Sequence, residues 1–191
     1  MLWDRCHYKM CCPFVNIISM LRQDYARFSI FAGLDDTQIR QLSPFLVECQ
    51  FPKDFVIFEQ GQPAKNLYIL LSGEVLVRYK PYDGPPLTVA HIEPGGVFGW
   101  SAALRHDVYT SGAVTVQDIC AMCMRGASLS VIRAKYPETG QIWLERLASV
   151  IAQRIQSTHV QVLGLLTQGM EQYCPPIKSN KIKGALRNVR H

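Results

Sequence analysis

The sequence predicts a mainly β fold: a double-stranded β-helix, or jelly-roll sandwich, with helices before it and a long helix after it. Three observations carry this expectation. Between Val47 and Met124 the apolar residues fall in short alternating or continuous runs, and each run is closed by turn residues such as Pro52, Gly61 to Pro63, Ser72-Gly73, Asp83-Gly84-Pro85-Pro86 and Pro94-Gly95-Gly96. On either side of that region the apolar period changes to the three-and-four spacing of helices. With 48% hydrophobic and 18% charged residues in 191, the composition is that of a globular chain with one well-buried core.

Taken in order, residues 1–27 form an N-terminal segment that reads as partly helical. Cys6, Cys11 and Cys12 sit close together there, which raises a haem or iron-sulfur reading, but Cys6 and Cys11 lack the two-residue spacing of zinc or ferredoxin ligands. Ile17, Ile18, Leu21, Tyr25 and Phe28 recur at helical spacing up to Phe31, and Gly33 ends that segment. A helix then starts with Asp35 as N-cap, Gln38 as its capping-box partner and Leu34 placed to staple onto Ile39.

Strands are predicted at 47–51, 54–59, 67–72, 74–80, 87–92, 97–100, 112–116 and 118–124, within a domain spanning 28–136. Eight short strands with few helices between them fit an antiparallel sandwich that closes its own edges. A short helix follows over Ala127 to Lys135. Pro137 then opens a long one, assigned to 137–168. Its apolar series Leu144, Leu147, Ile151, Ile155, Thr158, Val162 and Leu165 follows a coiled-coil-like seam, widened by Trp143, Val150 and Leu163. Two readings stand: docking on the chain's own domain, and self-pairing into a homodimer, which the breadth and length of the stripe favour.

The formal charge of +5 is unevenly placed, because residues 169–191 carry Lys178, Lys181, Lys183, Arg187 and Arg190 with one acid, Glu171. Sparse positive charge without interleaved aromatics reads as a solvated tail and not as a nucleic-acid contact. Seven scattered cysteines do not form the disulfide framework of a secreted protein, and the apolar run Met10 to Leu21 is too short to span a bilayer, so a cytoplasmic protein without membrane contact is expected. The five histidines lie far apart, no paired carboxylates or nucleophile elbow stand out, and no metal or other cofactor is expected. Cys120 and Cys123 have the spacing of a redox pair, but on an extended strand that separation places them on opposite faces. An enzyme is not expected.

The stretch Ile57 to Gly73, IFEQGQPAKNLYILLSG, resembles the first signature of the cyclic-nucleotide-binding domain shared by the cyclic AMP receptor protein family, protein kinase A regulatory subunits and nucleotide-gated channels. Phe58 departs from it, standing where a smaller apolar residue is usual. The resemblance covers about Phe28 to Leu166. It implies a pocket at FGWSAALRHDVYTSG, Phe98 to Gly112, which corresponds to the family's phosphate-binding cassette: Phe-Gly-Glu, small residues through a short helix, then an Arg followed by small residues. In nucleotide-binding members the Gly amide and the helix start hold the cyclic phosphate, the Arg pairs with its charge, and the Glu accepts from the ribose hydroxyl.

Here Phe98 and Gly99 are kept, and Ser101, Ala102 and Ala103 supply the small positions, but Trp100 stands in place of the Glu and Tyr109 in place of the Arg, followed by Thr110 and Ser111. Losing the cationic partner forfeits a charge-assisted hydrogen bond worth about 1.5–3 kcal/mol, so tight cyclic AMP or cyclic GMP binding is not expected. Arg105 and His106 lie in the same loop as partial substitutes. Trp100 and Tyr109 either fill the cavity or meet a flatter, less charged ligand.

The resemblance implies a dimer through the long helix, and the absence of a recognisable helix-turn-helix pattern after that helix disfavours direct DNA binding. The sequence therefore points to a stand-alone regulatory module that senses a small molecule and signals to a separate protein partner. A ligand-free interaction domain with a plugged pocket, a redox sensor using Cys6, Cys11 and Cys12, and a transcriptional regulator without its own DNA-binding domain remain as alternatives.

Overall fold

The computed structural model describes residues 28–104 and 106–173, with side chains as far as Gln156. The expected helical segment over 17–31 lies outside the described residues as far as 27, and its last part, 28–31, forms turns instead, with the Phe31 amide donating to the Phe28 carbonyl at 3.0 Å; the cysteines at 6, 11 and 12, Arg105 and the tail beyond 173 also lie outside the described residues. Helix α1, Asp36–Leu42, begins as its sequence predicts. The Asp35 carboxylate accepts from the amides of Thr37 and Gln38 at 2.7 and 2.8 Å, and the Gln38 side chain accepts from the Asp35 amide at 3.0 Å. Pro44 converts the following turn to a 3-10 helix, Ser43–Phe45.

Eight strands follow: β1 Val47–Phe51, β2 Val56–Phe58, β3 Asn66–Ser72, β4 Val75–Tyr79, β5 Leu87–Ile92, β6 Val97–Phe98, β7 Gly112–Thr115 and β8 Ile119–Arg125. They form two antiparallel four-stranded sheets in the orders β1-β8-β3-β6 and β2-β7-β4-β5, the jelly-roll arrangement expected from the sequence. Gly61 and Gly73, the turn glycines of the first signature, have φ values of 84° and 90°.

Strand alternation divides the apolar residues between two cores. On β3 and β8, Tyr68, Leu70, Ile119 and Ala121 point between the sheets, while Leu67, Ile69, Met122 and Met124 point outward into a second core beneath the helices. All four β3 residues are buried, since this central strand is covered on both faces. Thr115, buried on β7, closes the turn after β1: its hydroxyl donates to the Pro52 carbonyl at 2.6 Å and accepts from the Phe55 amide at 2.8 Å.

Helices α2, Ser128–Lys135, and α3, Pro137–Tyr173, complete the fold. The latter continues five residues past the expected end at 168. Trp143, Leu147 and Ile151 recur every fourth residue on α3 and are buried in the outer core, with Leu144 and Val150 packed against it. Trp143 stacks obliquely on Phe31 at 5.2 Å, and Thr139 donates to the Gln41 side chain at 2.6 Å, fastening α3 to α1.

This corrects the seam expected for self-pairing. Leu147 and Ile151 are occupied within the chain, because sheet β1-β8-β3-β6 needs a cover for its outer apolar face, and Leu144 is half-buried beside them. Ile155, one turn on, is 58% exposed, and Thr158, Val162 and Leu165 lie outside the described side chains.

Candidate functional site

The turn after β6 is shaped by two close approaches. Gly99 sits in the left-handed region, φ 71°, with the Asn66 carbonyl 2.9 Å from where a Cβ would stand, so a side chain there meets both strain and a clash. Trp100–Ala102 then forms a short 3-10 helix, whose far end presses on Gly126 so closely that a Cβ at Gly126 would overlap the Ala102 carbonyl. Ala102 is thereby buried against Gly126, in the turn after β8, and does not reach the cavity wall, contrary to its expected role.

A cavity of about 560 Å³ opens beside this turn, within the size range of small-molecule sites. Phe98, Gly99, Trp100 and Ser101 form one wall, and Tyr109, Thr110 and Ser111 the next. Strands β4 and β5 contribute Val77, Tyr79, Val89 and Ala90. The last wall comes from α3, through Arg154 and Ile155. Seven of the eight residues expected at the ligand site thus line one cavity. His106 does not: its amide donates to the Ser101 carbonyl at 3.0 Å, closing the loop, and its exposed ring stands outside the cavity wall.

The departures from the family signature meet one another in space. Tyr109 is only 4% exposed, and its ring stacks on Phe58 at a centroid distance of 3.8 Å and 17° between planes. Its hydroxyl donates to the Asn66 carbonyl at 2.7 Å and accepts from the Asn66 amide at 3.0 Å. Burial pushes the phenol up to about 12, with the Asn66 backbone hydrogen bond opposing. Tyr109 is therefore a brace between the cassette loop and β3, and it borders the cavity without filling it. Phe58, Tyr68 and Phe98 extend the stack between the sheets, so an oversized Phe58 and a ring in place of the cassette Arg form one aromatic block.

Trp100 has a partner from far along the chain. The Arg154 guanidinium lies over its ring at 5.3 Å, and Arg154 Nη1 donates to the Val97 carbonyl at 2.8 Å. Burial pulls the guanidinium down to about 10. A cation thus stands at this pocket, delivered by α3 and not by the cassette. Sequence reasoning missed it. Its one signal was position: Arg154 follows Ile151 by three residues and precedes Ile155, placing it on the edge of the buried stripe.

Hydroxyls add further polar groups to the lining. Ser101 Oγ lies 3.5 Å from Thr110 Oγ1 and accepts weakly from the Thr110 amide at 3.4 Å. The remaining chemistry-bearing residues are placed elsewhere. His91 Nδ1 pairs with Glu74 at 2.7 Å on the surface. Cys120 donates to Glu48 at 3.3 Å, whereas Cys123 packs on the inter-sheet core beside Cys49, so the Cys-x-x-Cys thiols face opposite ways, as an extended strand requires. Among the described residues no cluster of His, Cys, Asp and Glu could hold a metal ion, and no helix is long and apolar enough to cross a membrane.

The family model described as the cyclic nucleotide-binding domain matches residues 48–136, the span from β1 through the cassette to the end of α2. Residues 48–136 form a domain of the cyclic nucleotide-binding family. A CRP-like cAMP-activated global transcriptional regulator of Mycobacterium tuberculosis is 29% identical to the chain over 141 residues, covering 74% of this chain and 61% of that protein. The chain therefore spans about three-fifths of that relative's length.

A cAMP-binding acyltransferase from Mycobacterium smegmatis matches in structure with a TM-score of 0.59 and 25% identity, over 73% of this chain and 42% of that one. A cyclic nucleotide-binding domain from Methylobacillus flagellatus shares the fold with a TM-score of 0.69 at 18% identity, covering 77% and 83% of the two chains. Within this domain the turn after β6 combines the left-handed Gly99 with the 3-10 helix Trp100–Ala102.

Proposed function

We propose that the chain is a regulatory module that binds a small molecule in the cassette cavity and passes its occupancy to the long helix. One observation carries this reading: α3 is embedded in the outer core through Trp143, Leu147 and Ile151, and one turn later the same helix supplies Arg154 and Ile155 to the cavity wall. A ligand that touches Arg154 or Ile155 has a different affinity for each position of α3, which is the condition for a binding event to shift a helix. The cavity beside Trp100 and Tyr109 argues against a plugged pocket. Trp100 and Tyr109 in place of the family's Glu and Arg argue against tight cyclic AMP binding.

Downstream of the cavity, α3 runs on for eighteen residues beyond Ile155. We place the output there, as pairing with a second copy or contact with a separate regulated protein. The scattered thiols are consistent with action in the reducing cytoplasm.

The test is thermal shift against cyclic nucleotides and small aromatic acids, followed by hydrogen exchange across 137–173 with and without the stabilising compound. Stabilisation together with slowed or accelerated exchange in α3 is expected. Binding that leaves α3 exchange unchanged would refute the sensory reading.

A further inference from the structure

We infer that the cavity takes an amphipathic monoanion, a carboxylate carried on an aromatic or aliphatic body, with Arg154 of α3 as its counter-ion. This rests on the reading of the cavity as a ligand site and adds the class of ligand. Away from the cassette turn the strand and helix walls are largely apolar: Val77, Val89, Ala90 and Ile155 have side chains that offer no hydrogen bonds to the polar edge of a nucleobase, and Tyr79 adds a single hydroxyl. A purine placed against them would lose its water without replacement partners, whereas a hydrocarbon body gains by leaving water.

The same cavity is lined by Arg154, whose guanidinium is held over Trp100 at 5.3 Å and hydrogen-bonded to the Val97 carbonyl at 2.8 Å, and by Ser101 and Thr110, whose hydroxyl oxygens lie 3.5 Å apart. One cation and a few hydroxyls in a largely apolar chamber match one anionic head on an apolar body. Burial also sharpens the preference, since a guanidinium out of bulk water interacts more strongly with an arriving anion than a solvated one does. The planar fork of Arg154 suits the two oxygens of a carboxylate.

This places the anion-recognising charge on the moving element. In the cassette arrangement that the sequence resembles, the Arg lies in the loop. Here the loop position is the buried Tyr109, and the charge rides on α3. A carboxylate bound to Arg154 therefore pulls directly on the helix.

The experiment is isothermal titration calorimetry on the full chain with two matched pairs, naphthoate against naphthalenemethanol and decanoate against decanol, and with cyclic AMP and inorganic phosphate alongside. Each acid should bind about tenfold to a hundredfold more tightly than its alcohol. Arg154→Met, which keeps the stem but removes the charge, should bring acid and alcohol level, and Arg154→Lys should restore part of the gap. Should Arg154→Met fail to fold, the acid-to-alcohol ratio in the wild type still decides. Val89→Trp, at a wall residue 36% exposed, should abolish both by filling the chamber.

Equal binding of acid and alcohol by the wild type, or no binding of either acid, overturns the inference. Tighter binding of cyclic AMP or of phosphate than of both acids overturns the ligand class while leaving a sensory module in place. Acid binding that follows Arg154 but leaves exchange in α3 unchanged supports the ligand class and refutes the sensory reading.

Discussion

Replacing Tyr109 with Phe removes one oxygen and leaves the ring stacked on Phe58 at 3.8 Å, so it isolates the brace from the packing. The lost hydroxyl serves both backbone groups of Asn66, donating at 2.7 Å and accepting at 3.0 Å. A buried backbone group left without a partner costs about 1–3 kcal/mol. Asn66 is only half-buried and water can reach part of it, so the two losses together should total about 2 kcal/mol. With a urea dependence of about 2 kcal/mol per molar for a domain of this size, the midpoint should fall by about 1 M. Urea unfolding followed by tryptophan fluorescence reads this directly. Because the hydroxyl is engaged with β3, affinity for any cavity ligand should change little in the same variant. A midpoint within about 0.2 M of wild type, or a large loss of affinity at unchanged stability, would refute the brace and make Tyr109 a ligand contact.

Four further outcomes are expected. Thr115→Val keeps the shape of the side chain but strips the partners from Pro52 and Phe55, and should cost about 1–3 kcal/mol in urea unfolding, against near-neutrality for a Val tolerated as mere β packing. Among the described residues the Trp143 indole N–H meets no hydrogen-bond partner despite complete burial, so Trp143→Phe should stay within about 1 kcal/mol of wild type, whereas Trp143→Ala should cost about 3–5 kcal/mol by opening a cavity under α3. Burial, reinforced by the Glu48 carboxylate, pushes the Cys120 thiol up to about 12 from its ordinary 9. The stability this group contributes is whole below pH 9 and is lost as pH rises toward 12. Between about pH 9 and 10 the wild-type urea midpoint should therefore fall more steeply than that of Cys120→Ala. At pH 8 peptide mapping after brief iodoacetamide treatment should find Cys49, whose thiol is held low by its hydrogen bond with Cys123, alkylated ahead of Cys120.

Local chemistry made much of the architecture legible. The Asp35–Gln38 box starts α1 because its bonds close within one turn, and all eight strands fall where the sequence alternates between turn residues, because a period of two needs only neighbours along the chain to be seen. Gly99 announced the cassette turn, since few other residues accept its backbone there. The same local logic placed seven cavity-lining residues and failed at Ala102 and His106, where the direction of a side chain is set by Gly126 in the turn after β8 and by the closing hydrogen bond to Ser101.

What the sequence by itself determined, then, is the jelly roll and the glycine turn at Gly99; that Trp100 and Tyr109 stand in place of a cassette Glu and Arg is what the family resemblance implies. Only the tertiary structure decided what those two residues meet. Tyr109 finds Phe58 across fifty-one positions of chain, and Trp100 finds Arg154 across fifty-four, once the sheets close and α3 docks. The stripe on α3 looked the same whether it faced a partner or the chain's own sheet, because helical periodicity records that a face is apolar and not what covers it. The outer face of β1-β8-β3-β6 covers Leu147 and Ile151, and that docking is what brings a buried charge to the cavity.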